Sequence, residues 1–198
     1  MTDSLPRPRG NADIDDAARR IAIESGLASI TLRRIAMVAG VTPSEVATYE
    51  PFMNALVART FEQLAVEELA ATTADVAAET EPMQGLRVLV EALLHESHEG
   101  YNSVWADAWS LGWRSAPLAE AACASMAGWN AMVVQLVERG IATGDFHTPD
   151  PELVALQFIA LIDSTTSYAL VGYRSPEDRS RLVRRTLEMS LGISEGTL

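Results

Sequence analysis

Two histidines three residues apart are the first candidates for chemistry in this chain. His95 and His98 lie near Glu91 and Glu99, so on a helix they would form a conceivable pair of metal ligands. A zinc site needs three or four protein ligands, and no third ligand lies in register with this pair. We therefore predict solvated histidines and no metal site.

Motifs typical of enzymes are absent from the sequence. It contains no nucleophile elbow, no glycine-rich phosphate loop, no dinucleotide-binding fingerprint and no His-Glu-x-x-His motif. Cys123 is the only cysteine, which excludes an internal disulfide and a cysteine-bound metal cluster within one chain. A dyad of Cys123 with a distant histidine has no local support. The sequence predicts a protein that is not an enzyme and that uses no cofactor.

A stripe of aromatic side chains is conspicuous in the second half of the chain. Its members recur at intervals of four residues, which places them along one side of a helix: Tyr101, Trp105, Trp109 and Trp113. Trp129 and Met126 could face this stripe from the next helix. Such side chains either fill a core or line a cavity for a flat or apolar effector molecule.

A single carboxylate interrupts the most apolar segment. Asp163 follows Phe158 and a run of aliphatic residues, and hydroxyl-bearing residues come directly after it. A buried carboxylate needs hydrogen-bond partners or has a raised pKa. Two roles are open for Asp163: hydrogen bonding to nearby hydroxyls or to a facing subunit, and binding of a cationic effector. The predicted effector site comprises Tyr101, Trp105, Trp109, Trp113, Met126, Trp129, Phe158 and Asp163.

Helices must position these residues, because the sequence shows no convincing strand alternation. Its 198 residues are 48% hydrophobic and 21% charged, as in globular proteins. Capping residues, glycines and prolines divide the chain into about nine helices, so we predict an all-α fold. The first four begin near Asp13, Thr31, Thr42 and Pro51, and the others span 82–96, 101–114, 117–143, 151–171 and 176–191.

Charge is distributed unevenly along the chain. The net charge of −12 opposes binding to nucleic acid, because phosphate neutralisation needs cations. Residues 1–60, however, hold seven arginines and seven acidic residues, so this part is neutral. Residues 61–198 hold the other eight arginines and 20 acidic residues, which accounts for the whole excess. The first third of the chain is therefore built differently from the rest.

Two short helices with a tight turn between them predict a helix-turn-helix in the first third. Gly40 permits the backbone conformation of the turn, and Thr31 is placed to cap the first of the two helices. Thr42 and Glu45 form a predicted capping box, with proline at the first helical position between them. The amino end of this helix points outwards, where unpaired N–H groups would suit a phosphate. A plain helical hairpin is the alternative.

The segment from Gly26 to Thr42 contains the run Ile30-Thr31-Leu32-Arg33-Arg34-Ile35-Ala36-Met37-Val38-Ala39-Gly40-Val41-Thr42. This segment resembles the amino-terminal motif of TetR-family transcriptional regulators. The resemblance is strong over residues 13–42 and looser to about residue 61. It implies a DNA-binding head, residues 1–48, and a helical effector-binding and dimerisation domain, residues 49–198. It also implies a homodimer whose two heads bind successive major grooves of an operator.

The second helix of the predicted helix-turn-helix, which follows Thr42 and would be the recognition helix, departs with the residues after it from the usual family pattern. Ala47 stands where the family has a phosphate-binding tyrosine, Met53 replaces a lysine, and Glu50 replaces a core phenylalanine. Phe52 would recover the lost packing if the chain shifted locally. Because the helix carries no cation, arginines outside it must supply the phosphate attraction. The predicted DNA-binding residues are Arg7, Arg9, Thr31, Arg33, Arg34, Thr42, Pro43, Ser44, Thr48 and Tyr49.

These patterns together predict a TetR-like regulator, a repressor released from its operator by an apolar or aromatic small molecule. The alternative is a helical ligand-binding or interaction protein whose head has lost useful affinity for DNA. The segments 151–171 and 176–191 are expected to form a four-helix dimer interface, with Leu187 central to the apolar face of the last helix. The sequence has no signal peptide and no stretch of about 18 apolar residues. We expect a cytoplasmic protein that does not span a membrane.

Overall fold

The computed structural model describes residues 11–95 and 99–198. Within these ranges the chain is all-α, as predicted, with a short 3-10 turn at Leu27–Ser29. The helices are α1 (Asn11–Ser25), α2 (Leu32–Ala39), α3 (Pro43–Tyr49), α4 (Met53–Ala78), α5 (Pro82–Leu94), α6 (Glu99–Gly112), α7 (Ala116–Thr143), α8 (Pro151–Leu170) and α9 (Pro176–Ser190).

Most helix starts lie at the predicted capping residues. The side chains of Asp150 and Ser175 accept hydrogen bonds from the N–H groups of the first turns of α8 and α9, and a proline occupies the first position of each helix. The predicted bounds differ by two residues in α6, which begins at Glu99 and ends at Gly112.

The chain divides into two compact units. One comprises residues up to Leu64 together with 103–122, and the other comprises 65–102 together with 123–198. A division into 1–48 and 49–198 remains a prediction. In the first unit, α1 turns its small and aliphatic side chains inwards at the predicted helical spacing, and they pack with side chains from α2 to α4. The buried members are Ile14, Ala17, Ala18, Ile21, Ala22, Ile35, Val46, Leu56 and Phe61.

The second unit has its own aliphatic core. Leu86 and Leu89 of α5, Leu136 of α7 and Phe158 of α8 are almost inaccessible to water. Leu187 of α9 is buried in this core as well, at 2% exposure within the single chain. Leu187 thus belongs to the apolar face of α9, as predicted, and this side chain is covered by its own unit, while the four-helix dimer interface stays a prediction.

Helix α8 is less buried than its composition suggests. Its side chains Leu153, Leu156 and Leu170 are exposed in the single chain. Among the described residues α8 is also the one helix long and apolar enough to cross a membrane by length and composition. Helices that pack in protein cores meet the same criterion.

Candidate functional site

The turn between α2 and α3 has the geometry that the sequence predicts. The Thr31 hydroxyl oxygen accepts a hydrogen bond from the Arg34 N–H at 3.3 Å and so caps α2. Gly40 ends α2 in the left-handed region at φ 68°. The Val41 N–H donates to the Ala36 carbonyl at 3.0 Å, which closes the turn.

A capping box closes the amino end of α3. The Thr42 N–H donates to Glu45 Oε2 at 2.6 Å, and the Glu45 N–H donates to Thr42 Oγ1 at 3.2 Å. The Thr42 hydroxyl donates to the same carboxylate at 2.7 Å. The prediction of unpaired N–H groups open to a phosphate is wrong for these two donors. Glu45, by contrast, belongs to the cap, so its charge has a structural role.

The outward face of α3 carries small side chains, and Glu45 of the capping box is exposed on the same helix. Ser44, Ala47 and Thr48 are exposed, as is Pro43 at the start of the helix, whereas Val46 is fully buried against the rest of the head. Spacings of three and four residues place Ser44, Ala47 and Thr48 on one side of the helix. The Thr48 hydroxyl donates to the Ser44 carbonyl at 2.8 Å. This side of α3 offers methyl and hydroxyl groups to a partner.

Tyr49 belongs to an ion-pair network inside the head. Its hydroxyl donates to Asp15 Oδ2 at 2.6 Å, and this hydrogen bond raises the pKa of Tyr49. Arg59 donates to Asp15 at 3.2 Å and to Glu50 at 3.1 Å. The prediction that Tyr49 is a DNA contact is not supported by this geometry, because its hydroxyl is committed to α1. Glu50 is paired, so its charge is tolerated where the family has phenylalanine.

Phe52 does not replace the missing core phenylalanine. It is 73% exposed, so the predicted local shift of the chain is wrong. The Phe52 N–H donates to Glu50 Oε1 at 3.1 Å, which fixes the turn into α4 and leaves the ring outside.

The arginines of the head differ in how far they are engaged. Arg33 is exposed on α2, whereas Arg34 donates to the Ser25 hydroxyl at 2.6 Å and is partly buried. Arg7 and Arg9 lie outside the described residues, so their predicted role stays a prediction. Arg33 is therefore the described arginine best placed to meet a phosphate.

The aromatic stripe does not point inwards along its whole length. Trp105 contacts Phe61 edge to face, with ring centroids 5.0 Å apart, and lies 5.6 Å from Trp109. Trp113, by contrast, is 72% exposed, with the Arg114 guanidinium 4.1 Å from the ring centroid. The expectation that all four rings face the interior is wrong for Trp113, because α6 ends at Gly112 and Trp113 lies in the turn that follows.

The other predicted effector residues lie in the second unit. Trp129 and Phe158 are buried, and Tyr101 and Met126 are partly buried. A cavity of about 50 Å³ in this unit was not predicted from the sequence, because it is formed where the ends of four helices meet. Its lining residues are Leu93, Leu94, His95, Asn102, Thr165, Thr166, Ala169, Pro176 and Arg179.

Asp163 has no hydrogen-bond donor or counter-charge among the described residues. The hydroxyls of Thr165 and Ser167 donate to the main-chain carbonyls of Ile162 and of Asp163 itself, at 3.0 Å each. Bonding of the carboxylate to nearby hydroxyls, one of the two predicted roles, is therefore wrong within the chain. Burial raises the pKa of Asp163 to about 6. On α7, Asn130 Oδ1 is likewise buried without a donor among the described residues.

A carboxylate of α6 binds the connection between α1 and α2. The Ala28 N–H donates to Asp107 Oδ2 at 2.8 Å. Gly26 adopts φ 80°, and a Cβ at this position would collide with the same carboxylate oxygen. Sequence reasoning missed Asp107, because nothing in its neighbourhood along the chain marks a partner 79 residues away.

The histidine pair gives no metal site in the part of the chain that is described. Among those residues no group of three or more His, Cys, Asp or Glu side chains could hold a metal ion. Glu91 pairs with Arg184 at 2.9 Å, and His98 lies outside the described residues.

A family model and several solved structures match this chain. Residues 82–192, more than half of the chain, match the family described as BetI-type transcriptional repressor, C-terminal. A sequence search against curated proteins gives no significant match.

The similar structures are bacterial and archaeal regulators, each below 25% identity. A TetR transcription regulator from Haloarcula marismortui is 22% identical, with a TM-score of 0.79, over 91% of this chain and 97% of that one. A regulator from Saccharomonospora viridis in complex with choline is 18% identical, with a TM-score of 0.81, over 91% and 96%. FadR from Bacillus subtilis in complex with stearoyl-CoA is 19% identical, with a TM-score of 0.69, over 93% and 100%. These likenesses show the fold.

Proposed function

The chain belongs to the TetR family of transcriptional regulators, of the BetI type, and on this premise we propose that it is a repressor that binds an operator in double-stranded DNA as a homodimer and leaves it when a small-molecule effector binds. The relatives are transcriptional regulators rather than enzymes. We place this activity in the cytoplasm, where such a regulator meets its operator.

The exposed face of α3 is the observation that carries the proposal. A seven-residue helix held by a capping box, with Val46 buried beneath it, presents Ser44, Ala47 and Thr48 to solvent. Small side chains allow the helix to approach base edges in the major groove closely. Arg33 on the preceding helix supplies a charge for a phosphate, and Arg7 and Arg9 are proposed to add to it.

Selection of bound duplexes from random DNA, at low salt, tests this proposal. We expect a palindromic sequence to be enriched, because a homodimer presents two equivalent heads. Arg33→Ala should weaken binding to every duplex and reduce the salt dependence by roughly one unit of slope, since one phosphate contact is lost. Arg181→Ala, at an exposed position of α9, is the matched control and should leave both unchanged. A wild-type protein that enriches no sequence would contradict the proposal.

The charge of the head supports a second candidate function. Helix α3 carries no cation, and residues 1–60 have no net charge, so electrostatic attraction to DNA is weak. A helical ligand-binding or interaction protein without useful DNA affinity would have these properties. The same selection separates the two candidates, because only the first enriches a sequence.

For the effector we propose an apolar or aromatic molecule that carries a positive charge or a hydrogen-bond donor. Asp163 and Asn130 Oδ1 are acceptors that lack donors among the described residues, and Trp129 and Phe158 lie in the same unit. The choline and stearoyl-CoA complexes of the similar structures are of opposite charge, so they do not decide the class. The carboxylate favours a cation.

Mass spectrometry of the ligand that co-purifies with the protein tests the effector class. Binding of this ligand should shift the tryptophan emission of the protein. Its affinity should increase as the pH rises through about 6, because Asp163 binds a cation only when ionised. Asp163→Asn should abolish this pH dependence. An anionic ligand whose affinity is unchanged in Asp163→Asn would contradict the proposed class.

A further inference from the structure

We propose that Thr48 is the residue that selects the base pair, and that it selects an A·T pair in each operator half-site. The inference rests on the proposed DNA binding and adds the chemistry of recognition to it. It follows from the one hydrogen bond that the Thr48 hydroxyl donates, 2.8 Å from the Ser44 carbonyl.

That hydrogen bond fixes what Thr48 offers to a partner. A hydroxyl has one proton and two lone pairs, so a free hydroxyl binds base donors and acceptors alike. The Thr48 proton is directed to the backbone one turn earlier, as is common for threonine in helices. Towards solvent the oxygen therefore acts as an acceptor, and the side-chain methyl group lies beside it. The methyl of Ala47 is exposed on the same side of the helix.

An acceptor next to methyl groups matches the major-groove edge of an A·T pair. Adenine presents its N6 amino group as a donor, and thymine presents its C5 methyl group for apolar contact. A C·G pair also presents an amino donor, at cytosine N4, but it has no methyl group. The Thr48 oxygen, as an acceptor, therefore cannot hydrogen-bond to guanine O6 or N7, which are acceptors too. Contact of the methyl groups with the thymine C5 methyl group distinguishes A·T from C·G.

The other polar side chains of α3 do not compete for this role. Glu45 is part of the capping box with Thr42, and the Tyr49 hydroxyl donates to Asp15. Ser44 is exposed, but a serine hydroxyl that turns freely reads donors and acceptors alike. Among the exposed residues of α3, Thr48 is therefore the one whose hydroxyl proton is engaged within the helix, so that its oxygen is available to DNA as an acceptor.

Two variants of the full-length chain separate the acceptor from the methyl group. Thr48→Val keeps the shape and removes the oxygen, whereas Thr48→Ser keeps the oxygen and removes the methyl group. Position 48 is exposed, so thermal melting should show that both variants fold. Arg181→Ala, at an exposed position of α9 outside the DNA-binding face, is the control. Each variant is taken through selection from random duplexes, followed by affinity measurements on the enriched site and its single-base changes.

We expect the wild type to prefer A·T at one position of each half-site by about 5- to 20-fold, the usual range for one specific base contact. Thr48→Val should lose the discrimination against G·C, and Thr48→Ser should discriminate less between A·T and C·G while still rejecting G·C. Arg181→Ala should keep the preference. Enrichment of a sequence that Thr48→Val leaves unchanged overturns this inference alone. A wild type that enriches nothing overturns the proposed function, and the inference with it.

Discussion

Single residues of this chain carry charges whose partners decide their role. Glu50 and Asp15 share the Arg59 guanidinium of the head, so two carboxylates that the sequence leaves unexplained are paired with one positive charge there. Asp163 in the other unit differs, because no described side chain donates to it and burial raises its pKa to about 6. An unpaired buried carboxylate costs stability whenever it is ionised.

Asp163 should therefore make the stability of the protein fall as pH rises. Its pKa in the folded chain lies above the ordinary value of 3.8, so the folded state binds the proton more tightly than the unfolded state. The difference corresponds to at most about 3 kcal/mol, which partial access to water reduces to about 1–2 kcal/mol. Asp163→Asn should thus exceed the wild type in free energy of unfolding near pH 7.5 and approach it below about pH 4, where the carboxyl is protonated in both folded and unfolded chains, in urea titrations.

Asp75→Asn is the control for this comparison, because Asp75 is exposed on α4. It should show the same difference from the wild type at both pH values. A gain in the free energy of unfolding of Asp163→Asn that does not depend on pH would contradict the assignment of the pH dependence to Asp163. Removal of the carboxylate changes the electrostatic free energy only at pH values where the wild-type group is ionised.

At the scale of elements, what could be predicted depends on the distance along the chain. The capping box of α3 joins residues three apart and the turn at Gly40 is local, so both were readable from the sequence. The bond from Tyr49 to Asp15 spans 34 residues and that from Ala28 to Asp107 spans 79. Nothing in one sequence marks such pairs, because they arise only when helices pack.

Helix α6 holds the connection between α1 and α2 through Asp107. Asp107→Ala should leave the Ala28 N–H unpaired and lower the free energy of unfolding by about 1–2 kcal/mol. Asp107→Asn keeps an acceptor oxygen and should retain most of the stability. Ser110→Ala, exposed on the same helix, is the control. Urea titrations in which the alanine and asparagine variants lose equal stability would show that the hydrogen bond is not what holds the turn.

At the scale of the whole molecule, exposed apolar surface remains on the second unit. Leu156 of α8 is 59% exposed and Met189 of α9 is 75% exposed. A shallow groove runs beside them, lined by Gln157, Ala160, Leu161, Ser164, Thr186, Met189 and Ser190. An apolar face of this kind is typical of a surface that packs against a second subunit. Composition predicted an apolar helix here, but the residues that stay exposed become visible only once the unit has packed.

Leu156 gives a sharper test of dimerisation than Leu187, which is buried within its own unit. Leu156→Glu should place a charge in the proposed interface and give a folded monomer, because the side chain is exposed in the single chain and its own core is untouched. Val66→Glu, at an exposed apolar position of α4, should remain dimeric. Sedimentation at micromolar concentration, with melting curves as a check on folding, distinguishes these outcomes. A wild-type monomer under these conditions would contradict the dimer and, with it, an operator of two half-sites, because a single head spans only one major-groove site.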